Sequence, residues 1–98
     1  MSLRGSPVEQ PATLPDGRLL VVRVAVPEDP YIQRRELDTV ALELVSDGVV
    51  EATVNTILAP DQVSEARRLA RDIAGRLESG DLEPTASAIE PLADSIPT

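Results

Sequence analysis

The chain contains no histidine, cysteine, lysine, tryptophan or phenylalanine, and Tyr31 is its one aromatic residue. Each absence excludes a class of chemistry. Without histidine there is no side chain whose unperturbed pKa lies near 7. Without cysteine there is no thiolate nucleophile, no soft metal ligand and no disulfide, and without lysine there is no Schiff base. The groups left for chemistry are Asp, Glu, Arg, Ser, Thr and Tyr31.

A length of 98 residues bounds the chain at one domain. At 42% hydrophobic and 27% charged residues the composition is that of a globular protein. The apolar residues are almost all Val, Leu, Ile and Ala, so the expected core is aliphatic. Met1-Ser2-Leu3-Arg4 leads into Pro7, Glu9 and Pro11 with no apolar stretch behind it, which reads as no signal peptide. The longest run of large aliphatic residues, Leu19 to Val22, is far short of a membrane span. A soluble, cytoplasmic protein is the expectation.

The net charge of −8 is unevenly placed. Residues 61–79 are balanced, whereas Asp81, Glu83, Glu90 and Asp94 of the last 19 residues face no base. An acidic body with an acidic tail is repelled by phosphate backbones and anionic lipid surfaces. No nucleic-acid or membrane partner is therefore expected. The acidic surface serves solubility or meets a protein with a basic patch.

Prolines at 7, 11 and 15 make residues 1–16 an extended N-terminal arm. Pro15-Asp16-Gly17 is a turn signal, because Pro presets φ and Gly tolerates positive φ. It delivers the chain into a first strand over 18–26, where Leu20, Val22, Val24 and Val26 alternate with Leu19, Val21, Arg23 and Ala25. A polar connector follows, with one helical turn plausible from Pro30 to Arg35 behind Asp29. Second and third strands are expected over 37–45 and 49–58. A three-residue Ser46-Asp47-Gly48 loop would pair Leu44 with Val50, Leu42 with Ala52 and Val40 with Val54. A two-residue Asp47-Gly48 loop would pair Leu44 with Glu51, Leu42 with Thr53 and Val40 with Asn55, setting apolar residues against polar ones throughout. Phase therefore favours the longer loop.

A helix is expected over 61–79, opened by Pro60 and Asp61 and closed by Gly80. Val63, Ala66, Ala70, Ile73 and Leu77 form its apolar stripe, widened by Leu69 and Ala74. Glu65, Arg68, Asp72 and Arg76 form a charge ladder on the exposed face. Residues 81–98 read as an acidic, proline-containing tail. Ile89, Leu92 and Ile96 have helical spacing, so this tail is either a short helix starting near Pro91 or a loosely docked segment.

The resulting fold class is α+β: a three-stranded, mainly antiparallel sheet with one long helix on one face, in a single domain over 17–80. Its strand order is left open. Three strands followed by a helix is also the order in the later part of double-stranded-RNA-binding domains. That family places basic residues at the start of its final helix, where this chain has Pro60-Asp61-Gln62, so the resemblance is rejected.

Two groups of residues are candidate sites. In the connector, Glu28, Asp29, Tyr31, Arg34 and Arg35 could bind a partner, since Tyr and Arg are typical of hot spots. The plainer alternative has Tyr31 and Ile32 capping the core while the charges are solvated. On the sheet face away from the helix, Leu19, Val21, Ala41, Val45 and Val49 are candidate homodimer contacts, interrupted by Arg23, Glu43 and Glu51. Arg67 and Arg71 could hold an anion but are expected to pair with Glu43 or Glu51. No spacing of a calcium loop, phosphate loop or nucleophile elbow occurs, so neither cofactor nor metal is expected. The expected function is that of a small, acidic, non-catalytic binding or accessory module acting as a homodimer. The alternative is a ligand-binding or catalytic dimer using Asp, Glu, Arg34, Arg35 or Tyr31 between helix and sheet.

Overall fold

The computed structural model describes residues 7–26 and 40–93. They build strands β1 (Val8–Thr13), β2 (Leu19–Ala25), β3 (Ala41–Ser46) and β4 (Val49–Asn55), then helices α1 (Val63–Ser79) and α2 (Ala86–Ala93). The class is α+β with an antiparallel sheet, but with four strands and two helices where three and one were expected. Strand order in the sheet follows chain order, β1-β2-β3-β4.

The additional strand comes from the expected arm. Leu14 to Gly17 closes a hydrogen-bonded turn, with Gly17 N–H donating to Leu14 O at 2.9 Å and Gly17 at φ 92°. The Arg18 N–H donates to Asp16 Oδ1 at 3.0 Å and completes it. This turn folds residues 8–13 back onto β2, with Ala12 opposite Leu20 and Val8 opposite Val24. Pro11 is tolerated because β1 is an edge strand and its missing N–H is on the outer side.

The hairpin between β3 and β4 corrects the expected register. Asp47 (φ 51°) and Gly48 (φ 79°) both adopt positive φ, as a two-residue turn of the I′ type requires. Ser46 then pairs with Val49 and Val45 with Val50. A bulge follows, since Leu44 pairs with Ala52 and leaves Glu51 as the extra residue of β4. Beyond it Leu42 meets Val54, so the apolar partners match after all. The expected three-residue loop does not form, and the expected pairs Leu44–Val50 and Leu42–Ala52 are each displaced by two residues. Apolar residues still face apolar ones because the extra residue sits in the strand and not in the turn.

One face of the sheet supports the core. Leu20, Val22, Val24, Leu42, Leu44 and Val54 are buried there against Ala66, Leu69, Ala70, Ile73 and Leu77 of α1. The helix lies over β1 and β2, and its small residues at 66, 70 and 74 allow a close approach. It starts at Val63, two residues later than expected. Gly80 at φ 81° closes it in Schellman geometry, with Gly80 N–H bonding Leu77 O and Asp81 N–H bonding Arg76 O. Of the charge ladder, the Asp72–Arg76 ion pair forms at 3.0 Å.

Residues 81–93 are neither a loose tail nor a helix begun at Pro91, and Ile96 lies outside the described residues. Helix α2 starts at Ala86, with the Thr85 hydroxyl accepting the Ala88 N–H, and carries Pro91 inside it. It lies against β4 and buries Ile89 and Ala93. The two helices thus share one face of the sheet. No buried polar or charged residue occurs among the described residues.

Candidate interaction surface

The register orders the sheet face away from the two helices into rows. Pro11, Val21, Val45 and Val50 stand opposite one another in turn, forming an apolar row across all four strands. Leu19, 71% exposed, adjoins that row. One step along the strands, Glu9, Arg23, Glu43 and Thr53 form a second row with alternating charge. Beyond it Ala25, Ala41 and Asn55 form a third.

These rows sort the expected dimer contacts. Leu19, Val21 and Val45 lie on this face as expected. Ala41 lies on it too but is only 3% exposed, so it has no area to offer. Val49 lies on the other face, because it pairs with Ser46, which shares the side of Leu42 and Leu44. Val50, 46% exposed, takes its place. The cause is the two-residue turn, which shifts Val49 and Val50 by one step relative to a three-residue loop. The connector residues Glu28, Asp29, Tyr31, Arg34 and Arg35 lie outside the described residues.

Arg23 is the least comfortable residue of the face. Its Nε is buried and has no hydrogen-bond partner among the described residues. A buried guanidinium N–H left unsatisfied costs on the order of 1–3 kcal/mol. Its cross-strand neighbours, Glu9 and Glu43, place acceptors on either side of it in the register. Sequence reading put Arg23 among interruptions of an apolar surface; only the register shows that it is framed by two acids.

Among the described residues Arg67 and Arg71 do not pair with the expected acids: Glu51 is held by Arg18 at 2.9 Å, and Glu43 stands between Arg23 and Thr53 on the face away from α1. They line a half-open cleft of about 300 Å³ between α1 and β1, together with Pro7, Val8, Glu9, Gln10 and Val63. The cleft sets two guanidinium groups together, while the register turns the Glu9 side chain to the opposite face of the sheet. That combination can hold an anion but offers no pair of carboxylates for acid–base chemistry. Among the described residues no three carboxylates gather as a metal site, and no helix is long and apolar enough to cross a membrane.

The edges of the sheet matter as much as its face. Alternate N–H groups of an antiparallel strand point to the same side. The Thr13 N–H points away from β2 and is taken by Glu78 of α1 at 3.3 Å. Pro11, two residues earlier, has no N–H to present on that side. The free edge of β1 is therefore blunted against strand addition. Comparison with protein-family models, with curated proteins and with solved structures finds no match to this chain.

Proposed function

We propose that this domain is a non-catalytic binding module that works as a homodimer, paired through the open face of its sheet. The observation that carries the reading is the apolar row Pro11–Val21–Val45–Val50, with Leu19 71% and Val50 46% exposed, on the face away from the two helices, which no other described element covers. Apolar area of this kind gains roughly 25 cal/mol for each Å² removed from water. The blunted β1 edge favours association by the face over association by that edge.

The size of the face sets the strength. Four strands about 4.8 Å apart and six residues long, at about 3.3 Å each, span roughly 19 by 20 Å. Such a patch, about 380 Å² per copy, is smaller than a standard specific interface and suits weak, reversible association. The absence of histidine, cysteine and lysine supports a binding role over a catalytic one, as does the chemistry of the α1–β1 cleft.

Sedimentation equilibrium over about 1–300 µM tests the reading. A reversible monomer–dimer equilibrium is expected, shifted to monomer by Val21→Asp and unmoved by Arg76→Gln on the far side of α1. A chain that stays monomeric throughout, or a Val21→Asp variant that dimerises normally, overturns it.

A further inference from the structure

The geometry points to the cleft between α1 and β1 as a site for a phosphate monoester, held by Arg67, Arg71 and the backbone N–H of Glu9. The cleft stands apart from the open face of the sheet, so the site holds whether or not that face pairs.

The outer edge of β1 is unevenly finished. The Leu14 N–H donates toward β2, to Arg18 O at 2.8 Å. By alternation, residues 9, 11 and 13 turn their amide positions away from β2, in a register without shifts. The Thr13 N–H is taken by Glu78 at 3.3 Å, and Pro11 has no N–H to offer. Glu9 is left, and its N–H has no hydrogen-bond partner among the described residues.

Helix α1 brings two guanidinium groups to that level. It runs beside β1 in the same direction, with Val63 near Val8 and Glu78 at Thr13. Along their elements, Arg71 and Arg67 stand about 10 and 16 Å back from Glu78, and Glu9 about 13 Å back from Thr13. The two arginines therefore bracket Glu9, and all three line the cleft of about 300 Å³.

Neither arginine makes a hydrogen bond or an ion pair among the described residues. Asp72 is held by Arg76 at 3.0 Å, Glu78 by Thr13, and the Glu9 side chain turns to the opposite face. Glu65 precedes Arg67 by two residues, a rotation of about 200° that sets it on the far side of the helix. Like charges four apart on a helix are unfavourable unless an opposite charge lies with them. A chain with seventeen acids leaves this pair of cations unanswered.

The donors select the ligand. Two guanidinium forks and one N–H make about five donors, more than the roughly four lone-pair sites of a carboxylate. A phosphate monoester offers three acceptor oxygens and a charge near −2, which two arginines balance. Val8 and Val63, both half-buried, give the cleft an apolar wall for a short organic body. A nucleic-acid backbone is disfavoured, because the rest of the surface is acidic and repels a polyanion.

Titration followed by nitrogen–proton NMR spectra tests the site, at about pH 7.5 and about 20 mM salt. The probes are inorganic phosphate, propyl phosphate, N-acetylphosphoserine amide and acetate. Both esters are expected to move the Glu9 amide saturably, with dissociation constants of about 1 mM or tighter. Inorganic phosphate is expected to bind severalfold more weakly, since it leaves the valines uncovered. Propyl phosphate binding above the phosphoserine probe assigns a free small molecule, and the reverse order a phosphorylated side chain.

Arg67→Gln and Arg71→Gln are each expected to weaken ester binding at least about tenfold. Neither is expected to lower thermal stability by circular dichroism, because each relieves a like-charge pair. Arg18→Gln removes the same charge on β2 and is expected to leave binding within about twofold. Binding that both cleft variants leave unchanged, or no saturable movement of Glu9 up to about 20 mM ester, overturns the site. Acetate binding as tightly as the esters overturns the ligand class.

Discussion

Glu78, near the end of α1, accepts a hydrogen bond from the backbone N–H of Thr13 in β1, 65 residues away. The carboxylate occupies the outer edge of the sheet where another strand would otherwise dock. Together with Pro11 it leaves that edge little to offer. Replacing both, as Pro11→Thr with Glu78→Ala, is expected to promote concentration-dependent aggregation on warming. Light scattering at matched fractions of folded protein measures it. Glu78→Ala alone is expected to cost at most about 1 kcal/mol, since the bond is exposed.

Neighbouring leucines on β2 are expected to behave oppositely. Leu20→Ala removes a residue that is 1% exposed and is expected to cost about 2–5 kcal/mol in urea unfolding. Leu19→Ala is expected to leave unfolding of the monomer within about 0.5 kcal/mol, while weakening self-association severalfold. Equal effects on stability would contradict the assignment of the two faces.

The hairpin turn makes a sharp backbone prediction. Gly48 has φ 79° with open space where a Cβ would stand, so Gly48→Ala meets no clash but must hold a left-handed conformation. A loss of about 1–2 kcal/mol is expected. Asp47→Val is expected to cost at least as much, because a β-branched side chain resists φ 51°. Asp47→Gly is expected to be neutral or nearly so.

Sequence legibility tracked how much each residue's local pattern depended on distant partners. The alternation of Leu20, Val22 and Val24 and the stripe from Ala66 to Leu77 are strong enough to be read alone, and both elements stand where they were expected. Strand β1 was missed because Pro11 reads as a breaker unless one knows that its strand is an edge. Helix α2 was misplaced because Pro91 reads as a first-turn residue, whereas Ile89 and Ala93 are held by burial against β4 and the core. On the candidate surface, Leu19, Val21 and Val45 were legible from alternation. Val49 and Val50 exchanged faces because turn length and bulge position are decided together, and phase alone fixes only whether the residues between Leu44 and its partner are odd or even in number.

Helix α2 is expected to be part of the cooperative core. Ile89→Ala should lower stability by about 2–5 kcal/mol, as for other buried aliphatics. Urea unfolding followed by circular dichroism should remain a single transition. A negligible effect would return residues 86–93 to a loosely docked role.

Nucleic acid is expected not to bind. Nine arginines face seventeen acids, and Tyr31 is the sole base-stacking platform. Gel shifts with single- and double-stranded DNA and RNA at low salt should show no complex. Saturable, salt-sensitive binding tighter than about 1 µM would overturn the expectation.

The bulge at Glu51 has a geometric consequence. An extra residue in one strand sharpens the local right-handed twist and bends that strand. Removing Glu51 would leave Val45 opposite Val50 and Leu44 opposite Ala52, so no side chain would change sides. The sheet would flatten near its hairpin end, and Arg18 would lose the acid it holds across the strands. The curvature of the open face is thus governed by a residue that adds no apolar atom to it, and its fit to another surface can be adjusted without changing its chemistry.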